Sequence, residues 1–203
     1  MSQKFYENYW QDRDMLEDFA YKWPVLQKLL PKNQKLKFLD FGCGKGVILA
    51  KIAQIRPQYL ISGTDISPTA LQAAQERLPR ASFKLISSNQ LLPYPRNYFD
   101  FILASDVLEH IYDTRTAFAE LSRVLKKGGQ LLVTVPYNSR LKLILVTLLA
   151  FEFYFDPYSP HIRFFSPATL KRCLKDGGLR PEKIGYFGRF YPLSKGMYVL
   201  ARK

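Results

Sequence analysis

Hydrophobic and polar positions along this chain fall into two alternating patterns. Short apolar runs occur at Lys37–Phe41, Tyr59–Thr64, Ser82–Ile86, Phe99–Ala104 and Gln130–Val135, with weaker ones at Glu182–Phe187 and Met197–Ala201. Such runs predict strands, the strongest of them buried on both faces. Between them, apolar residues recur at helical spacing over about Val47–Ile55, Pro68–Arg77, Thr114–Leu125 and Pro167–Lys175, and a further helix is expected at about Met15–Leu30. The punctuation agrees. Ser67-Pro68 and Ser166-Pro167 each offer a hydroxyl N-cap followed by proline at the first helical position, and Lys127-Gly128-Gly129 and Asp176-Gly177-Gly178 read as helix ends in left-handed turns. A leading helix followed by repeated strand–helix units predicts an α/β protein, a parallel sheet covered by crossover helices. It does not fit an all-β or helix-bundle architecture.

The 203 residues suffice for one sizeable domain, and no Ser/Gly linker, repeat or low-complexity stretch divides them. The expectation is a single domain over 1–203 with an N-terminal helical arm, 1–31. The longest apolar run, Leu143–Phe151, is bracketed by Lys142 and Glu152 and falls well short of the ~20 residues needed to span a bilayer. Hydrophobic residues at 47% and charged residues at 23% exclude a disordered, tail-like chain. Thirty Lys and Arg against seventeen Asp and Glu give a formal charge of +13, and fifteen of the basic but only five of the acidic residues lie in 120–203. That field attracts RNA, anionic lipid or an acidic substrate, but the basic residues are scattered and form no polybasic tract, so a plain solvated surface stands as the alternative. Two distant cysteines, Cys43 and Cys173, cannot build a four-cysteine zinc site or a three-cysteine iron–sulfur cluster. No metal is expected, and without an apolar leader a reducing, cytoplasmic setting is.

The sharpest local signal is Phe38-Leu39-Asp40-Phe41-Gly42-Cys43-Gly44-Lys45-Gly46, a buried strand running into three alternating glycines and then a helix. At a strand's carboxyl end, glycines let backbone approach a ligand, and the helix N-terminus presents free N–H groups. The phosphate loop needs four residues between its glycines and then Gly-Lys-Ser/Thr, which is not supplied here. The dinucleotide fingerprint needs glycine where this chain has Val47. An acidic residue followed by G-x-G-x-G remains, and Asp40 suits a ligand with a cationic end better than a pyrophosphate.

The pattern continues along the chain. Asp65 closes the second strand in Thr64-Asp65-Ile66-Ser67, and Ser88-Asn89-Gln90 follow the third. Phe99–Ala104 leads into Ser105-Asp106-Val107-Leu108-Glu109-His110, and Lys126-Lys127-Gly128-Gly129 precedes Leu131–Val135. Near the C-terminus stand Pro160-His161-Ile162-Arg163-Phe164-Phe165-Ser166-Pro167, Leu170 and Asp176-Gly177-Gly178-Leu179. Together these segments resemble the class I S-adenosylmethionine-dependent methyltransferases of small-molecule type, including those of quinone biosynthesis, over roughly residues 36–203. The resemblance implies a Rossmann-like, doubly wound, mostly parallel sheet of seven strands with helices on both faces and the last strand antiparallel. It implies S-adenosylmethionine as cofactor, held by Asp40, Gly42, Cys43, Gly44 and Gly46, by Asp65 on the ribose hydroxyls with Ile66 beside it, and by Ser105 and His110. Ser88, Asn89 and Gln90 stand at the adenine, Ser88 where relatives often carry an aspartate. Tyr6 and Trp10 belong to an arm that folds over the cofactor in related enzymes; core packing is their alternative. Asp65 has the alternative of capping the following helix, and His110 that of a structural histidine beneath the cofactor loop.

A sulfonium methyl is already a strong electrophile, so the protein must mainly align the nucleophile and exclude water. An oxygen or carbon nucleophile still benefits from a base near neutrality, and His161, in an aromatic-rich segment, is the candidate; a backbone-bonded structural role is its alternative. Residues 137–160 form an apolar, lid-like insertion. Its helix, greasy on nearly every face over Leu141–Phe151, must be buried, pair with another copy, cover a hydrophobic acceptor or skim a membrane. Tyr137, Asn138, Tyr154, Asp156 and Arg163 are the expected substrate contacts, and basic flanks at Arg140, Lys142 and Arg163 favour anionic lipid. The activity expected is methyl transfer to oxygen or carbon of a small hydrophobic acceptor, in the cytoplasm or at a membrane periphery. A nucleic-acid (RNA) methyltransferase is the alternative raised by the charge, but neither an Asn/Asp-Pro-Pro-Tyr segment nor a Pro-Cys nucleophile occurs, and no separate RNA-binding module is visible. A non-catalytic cofactor-binding protein stays open, and a nicotinamide dehydrogenase is disfavoured by Asp40 and Val47.

Overall fold

Apolar runs in the middle of the chain become strands because both of their faces are covered. The structure is a computed structural model that describes residues 19–32, 35–87, 91–159 and 161–203. Tyr6, Trp10, Ser88, Asn89 and Gln90, and the first residues of the expected N-terminal helix, lie outside the described residues. The elements are α1 (Phe19–Leu29), β1 (Lys37–Phe41), α2 (Val47–Ile55), β2 (Leu60–Asp65), α3 (Pro68–Arg77), β3 (Ser82–Leu85), β4 (Phe99–Ser105), a 3-10 turn (Leu108–His110), α4 (Thr114–Val124), β5 (Leu125–Pro136), α5 (Arg140–Leu149), α6 (Phe151–Tyr154), α7 (Pro167–Asp176), β6 (Arg180–Phe187) and β7 (Gly196–Arg202).

The seven strands form one sheet in the order β3-β2-β1-β4-β5-β7-β6, and β7 runs antiparallel to both of its neighbours while the other pairs are parallel. Alternate residues of β1 serve opposite faces. Leu39 and Phe41 join Ile102, Leu131 and Val133 under α4 and α7, where Phe118, Leu121, Leu170 and Leu174 complete one core. Phe38 joins Phe101, Leu103 and Leu132 on the other face, under Leu26 of α1 and Ile48, Leu49 and Ile52 of α2. This is the expected doubly wound arrangement. The strand order reverses direction between β1 and β4, and an open α/β sheet offers its ligand crevice at the carboxyl ends of such a pair.

Local chemistry sets most boundaries. Ser67 caps α3 by accepting the Ala70 N–H at 3.2 Å ahead of Pro68. Ser166 and Thr169 close a reciprocal capping box on α7. The expected helix end at Lys127-Gly128-Gly129 is corrected. α4 stops at Val124, and Leu125 is already extended and paired with Phe99 in β5. Gly128, with φ 79°, makes an irregularity inside that strand rather than a helix cap. Glycine is required at Gly129, where a Cβ would meet Leu125 at 2.9 Å and the Asp100 carbonyl at 3.0 Å. Among the described residues no helix is long and apolar enough to cross a membrane. The apolar insertion helix forms as α5, but none of its residues is buried, so core burial is not what its greasy surface serves.

Candidate functional site

The carboxyl ends of β1, β2 and β4 converge on the loop after β1. Gly42, Gly44 and Gly46 have φ of 78°, 51° and 73°, a region that disfavours any side chain. Gly42 and Cys43 donate their N–H groups to the Thr64 carbonyl at 2.8 and 2.9 Å, which straps the loop to the end of β2. A Cβ at Gly42 would stand 2.4 Å from Val107, so the chain after β4 presses directly on the loop. Gly46 is the N-cap of α2, whose first N–H groups face the crevice as an anion or dipole site. The Cys43 thiol is buried, with its pKa pushed up by that burial, and bonds the Gly44 carbonyl. Cys43 therefore offers the crevice its backbone and not its sulfur.

Four carboxylates gather behind this loop. Asp65 accepts the Gly44 N–H at 2.8 Å on one oxygen and the Ser67 N–H at 3.0 Å on the other. Each oxygen keeps a second lone pair for a ligand hydroxyl, and burial raises the carboxyl against the pull of those N–H groups. Ile66, half-buried, follows it. Asp40 is buried and pushed up to about 7, first by desolvation and then by Asp65, with Lys22 opposing both. Its Oδ1 has no hydrogen-bond partner among the described residues. Asp106 holds an unusual φ of 54° directly after β4, accepts a hydrogen bond from Thr134 at 3.0 Å and pairs with Lys22. Ser105 shares its hydroxyl with Thr134 at 3.0 Å. Glu109 is 0% exposed, leaves both carboxyl oxygens unpartnered among the described residues and is pushed up to about 8 by burial.

Lys22 is the residue that sequence reasoning missed. It is 1% exposed in the middle of α1 and is a cation that lowers both Asp40 and Glu109. A lysine one helical turn before the buried Leu26 was a visible signal, because an apolar helix face has no use for an unpaired ammonium.

The substrate-side residues separate into three groups. His161 stacks on His110, ring centroids 5.0 Å apart and 17° from parallel. The Ile162 and Arg163 N–H groups both bond the Glu109 carbonyl at 3.1 Å, which docks this segment on the 3-10 turn. Although His161 keeps an exposed face, desolvation lowers its imidazole below the ordinary histidine value. Arg163 donates from its guanidinium to the Ile111 and Tyr112 carbonyls, which fastens this segment to the chain after the 3-10 turn. Tyr137 is buried beside Tyr186 and Tyr191, and burial with those phenols pushes it up to about 12. Asn138 accepts a hydrogen bond from Tyr154, which ties α6 to the end of β5. Asp156 is exposed and holds a local turn through the Tyr158 N–H at 2.9 Å. The ligating atoms of Glu109, His110 and His161 lie within 4.8 Å of one another, a set that by donor chemistry could hold a metal ion.

A sequence description of a methyltransferase domain matches residues 10–184. The chain is 28% identical over 155 residues to the ubiquinone biosynthesis O-methyltransferase of Thiobacillus denitrificans, covering 73% of this chain and 66% of that protein. It is 29% identical over 161 residues to the enzyme of the same description from Methylococcus capsulatus, covering 74% of this chain and 67% of that one. It thus spans about two thirds of the length of either relative. In fold it is similar to an S-adenosylmethionine dependent methyltransferase from Mesorhizobium loti, with a TM-score of 0.70 and 18% identity over 90% of this chain and 97% of that one.

Proposed function

This chain belongs to the methyltransferase domain family, and from that premise we propose that it transfers a methyl group from S-adenosylmethionine to an oxygen of a small, apolar acceptor. The observation that carries the reading is the buried carboxylate set at the reversal of strand order, with an oxygen on Asp40 unpartnered among the described residues beside a loop that has no room for a side chain at Gly42. An unpaired buried acceptor costs about 1–3 kcal/mol, and a ligand ammonium relieves that cost. Asp65 offers a lone pair on each oxygen to vicinal ribose hydroxyls, and the first N–H groups of α2 offer an anion site for an amino-acid carboxylate. The residues present therefore fit both charges of the cofactor's methionine end and its sugar.

When bound, the cofactor supplies an electrophilic methyl on a sulfonium that departs as a neutral thioether. The chain's own residues bind, align and move one proton. Asp40, Asp65 and the Gly42–Gly46 loop fix the donor. His161, neutral at physiological pH because desolvation holds it below the usual histidine range, takes the acceptor's hydroxyl proton on an imidazole nitrogen as oxygen bonds carbon. His110 orients that ring by stacking. Tyr154 bonds Asn138, which ties the insertion to the end of β5 at the carboxyl side of the sheet. Both described cysteines are free thiols, which supports action in the cytoplasm, close to where apolar acceptors concentrate.

Calorimetric titration tests the reading. S-adenosylmethionine and S-adenosylhomocysteine should bind at micromolar affinity and NAD should not, and Asp65→Ala should weaken binding at least tenfold, about 1.4 kcal/mol. Affinity for NAD alone, or an Asp65→Ala protein that binds as the parent does, would sink it.

A further inference from the structure

We infer that the amino end of the sheet, remote from the glycine loop, docks a segment of a partner protein rich in aspartate and glutamate. Its cations are scattered in the sequence, and the topology gathers them. β1, β4 and β5 lie side by side and parallel, so Lys37, Arg96 ahead of β4, and Lys126 and Lys127 at the start of β5 share one end. β7 runs antiparallel to β5 with Arg202 opposite Gln130, and so delivers Arg202 and Lys203 to the same end. Lys203 ties them together. Its Nζ donates to Asn97 Oδ1 and to the Leu125 carbonyl, both at 2.8 Å, and its carbonyl accepts the Gly128 N–H at 2.9 Å. Those bonds bring Arg96 and Lys127, each the chain neighbour of a bonded residue, beside it.

The carboxylates at this end are already engaged. Asp100 pairs with Lys126 at 2.6 Å, Glu120 with Arg123 at 2.7 Å and Glu182 with Arg202 at 2.6 Å. Lys37, Arg96, Lys127 and Lys203 are in no ion pair among the described residues. Arg96 and Lys127 are exposed. The crowding of like charge is felt at Lys203, whose ammonium is lowered first by desolvation and then by Arg96, Lys127 and Arg123. A surface where cations crowd after the local anions are used gains when an anion arrives from outside.

Shape and chemistry decide between occupants. Neighbouring strands stand about 4.8 Å apart, so the step from β1 across β4 and β5 to β7 covers about 14 Å, the reach of four or five extended residues. Alternate acidic side chains on one face of such a segment match that span. The guanidiniums at this end already hold carboxylates by both oxygens: Arg202 bonds Glu182 at 2.6 and 3.2 Å, and Arg123 bonds Glu120 at 2.7 and 2.8 Å. A nucleic acid fits less well. Tyr59 is buried and Tyr98 is half-buried with the Lys37 ammonium 3.8 Å from its ring centroid, so neither ring offers bases a stacking platform. A second copy, itself at formal charge +13, is repelled. The glycine loop lies at the other end of the strands, so the docking stands independently of the proposed reaction.

Fluorescence anisotropy with the full chain tests it, using labelled poly-glutamate as the probe and labelled poly-uridine RNA as the rival. Poly-glutamate should bind the parent more tightly than the RNA does, and Arg96→Glu with Lys127→Glu should lower that affinity at least about tenfold. Lys51→Glu with Lys171→Glu makes the same change in net charge on exposed positions of α2 and α7 and should lower it by less than about threefold. All four side chains are exposed, so thermal unfolding and S-adenosylhomocysteine affinity of both variants should match the parent. The inference is overturned if the parent does not bind poly-glutamate at about 0.1 M salt, if the two double variants weaken binding alike, or if the RNA binds more tightly and Arg96→Glu with Lys127→Glu removes it. A parent that binds S-adenosylhomocysteine but not poly-glutamate fails this inference alone, and the converse fails only the methyltransferase reading.

Discussion

Replacing Lys22 by methionine removes the one described cation that faces Asp40, Asp106 and Glu109 together, while keeping most of the side chain's volume in α1. Breaking a buried ion pair by deleting one partner costs about 3–5 kcal/mol, because the other charge is left desolvated. Asp106 keeps 22% of its side chain exposed and a hydrogen bond from Thr134, which softens the loss to just below that range, about 2–3 kcal/mol. For a chain of this size each kcal/mol lowers Tm by roughly 2–4 °C, so the variant should melt about 4–12 °C below the parent. The loss should also grow with pH. Asp40 and Glu109 sit at about 7 and about 8, above their ordinary values; raised carboxyls favour the native state fully only below their unfolded pKa, and that contribution is lost as pH rises towards the folded one. Deleting Lys22 raises both further, so the parent and the variant diverge as pH passes from about 6 to about 9. Differential scanning calorimetry across that range reads the effect, and S-adenosylhomocysteine affinity should fall at least about tenfold in parallel. A Tm difference under about 2 °C, or one that stays flat from about pH 6 to pH 9, would refute the placement of Lys22 among these carboxylates.

Two further outcomes follow from the site and from the helix that supports it. His161→Ala should lower kcat while sparing cofactor affinity, and in the parent kcat/KM should fall as pH drops through the lowered histidine value; a parent profile that His161→Ala leaves unchanged would leave His161 only a packing role. Ser166→Ala removes the capping box of α7 and should cost about 1 kcal/mol, read as a Tm lower by roughly 2–4 °C with cofactor binding unaltered.

The parts of this fold legible in the sequence are those fixed by neighbours in the chain. β1, α2 and α3 begin and end where apolar periodicity, Gly46 and Ser67-Pro68 put them. The extension of β5 back to Leu125 was not legible, because its cause is the distant Phe99, and a Gly-Gly pair reads equally well as a helix stop or as an irregular strand. The same division runs through the site. Asp40 and Asp65 announce themselves at the ends of strands, whereas the role of Lys22 depends on carboxylates that the sheet brings to it from β1 and from the turn after β4. The bonds of Arg163 to the Ile111 and Tyr112 carbonyls and of Asp156 to the Tyr158 N–H are tertiary and turn chemistry that composition does not reveal. The outward stripe of α5 was legible as a greasy helix but not as an exposed one, since periodicity specifies that a face exists and not which way it turns.

The placement of β7 between β5 and β6 has a bearing on how the molecule comes into being. β6 precedes β7 in the chain yet touches the rest of the sheet only through it. While a ribosome is still making β6, that strand has no partner and β5 is a bare edge, open to pairing with other chains. Assembly of this half of the sheet must therefore wait for Gly196–Arg202 and then proceed as a single insertion that closes two ladders together. Anything that delays β7, such as a slow codon run or an early stop before it, leaves the nascent protein with a completed glycine loop and an unprotected strand beside it.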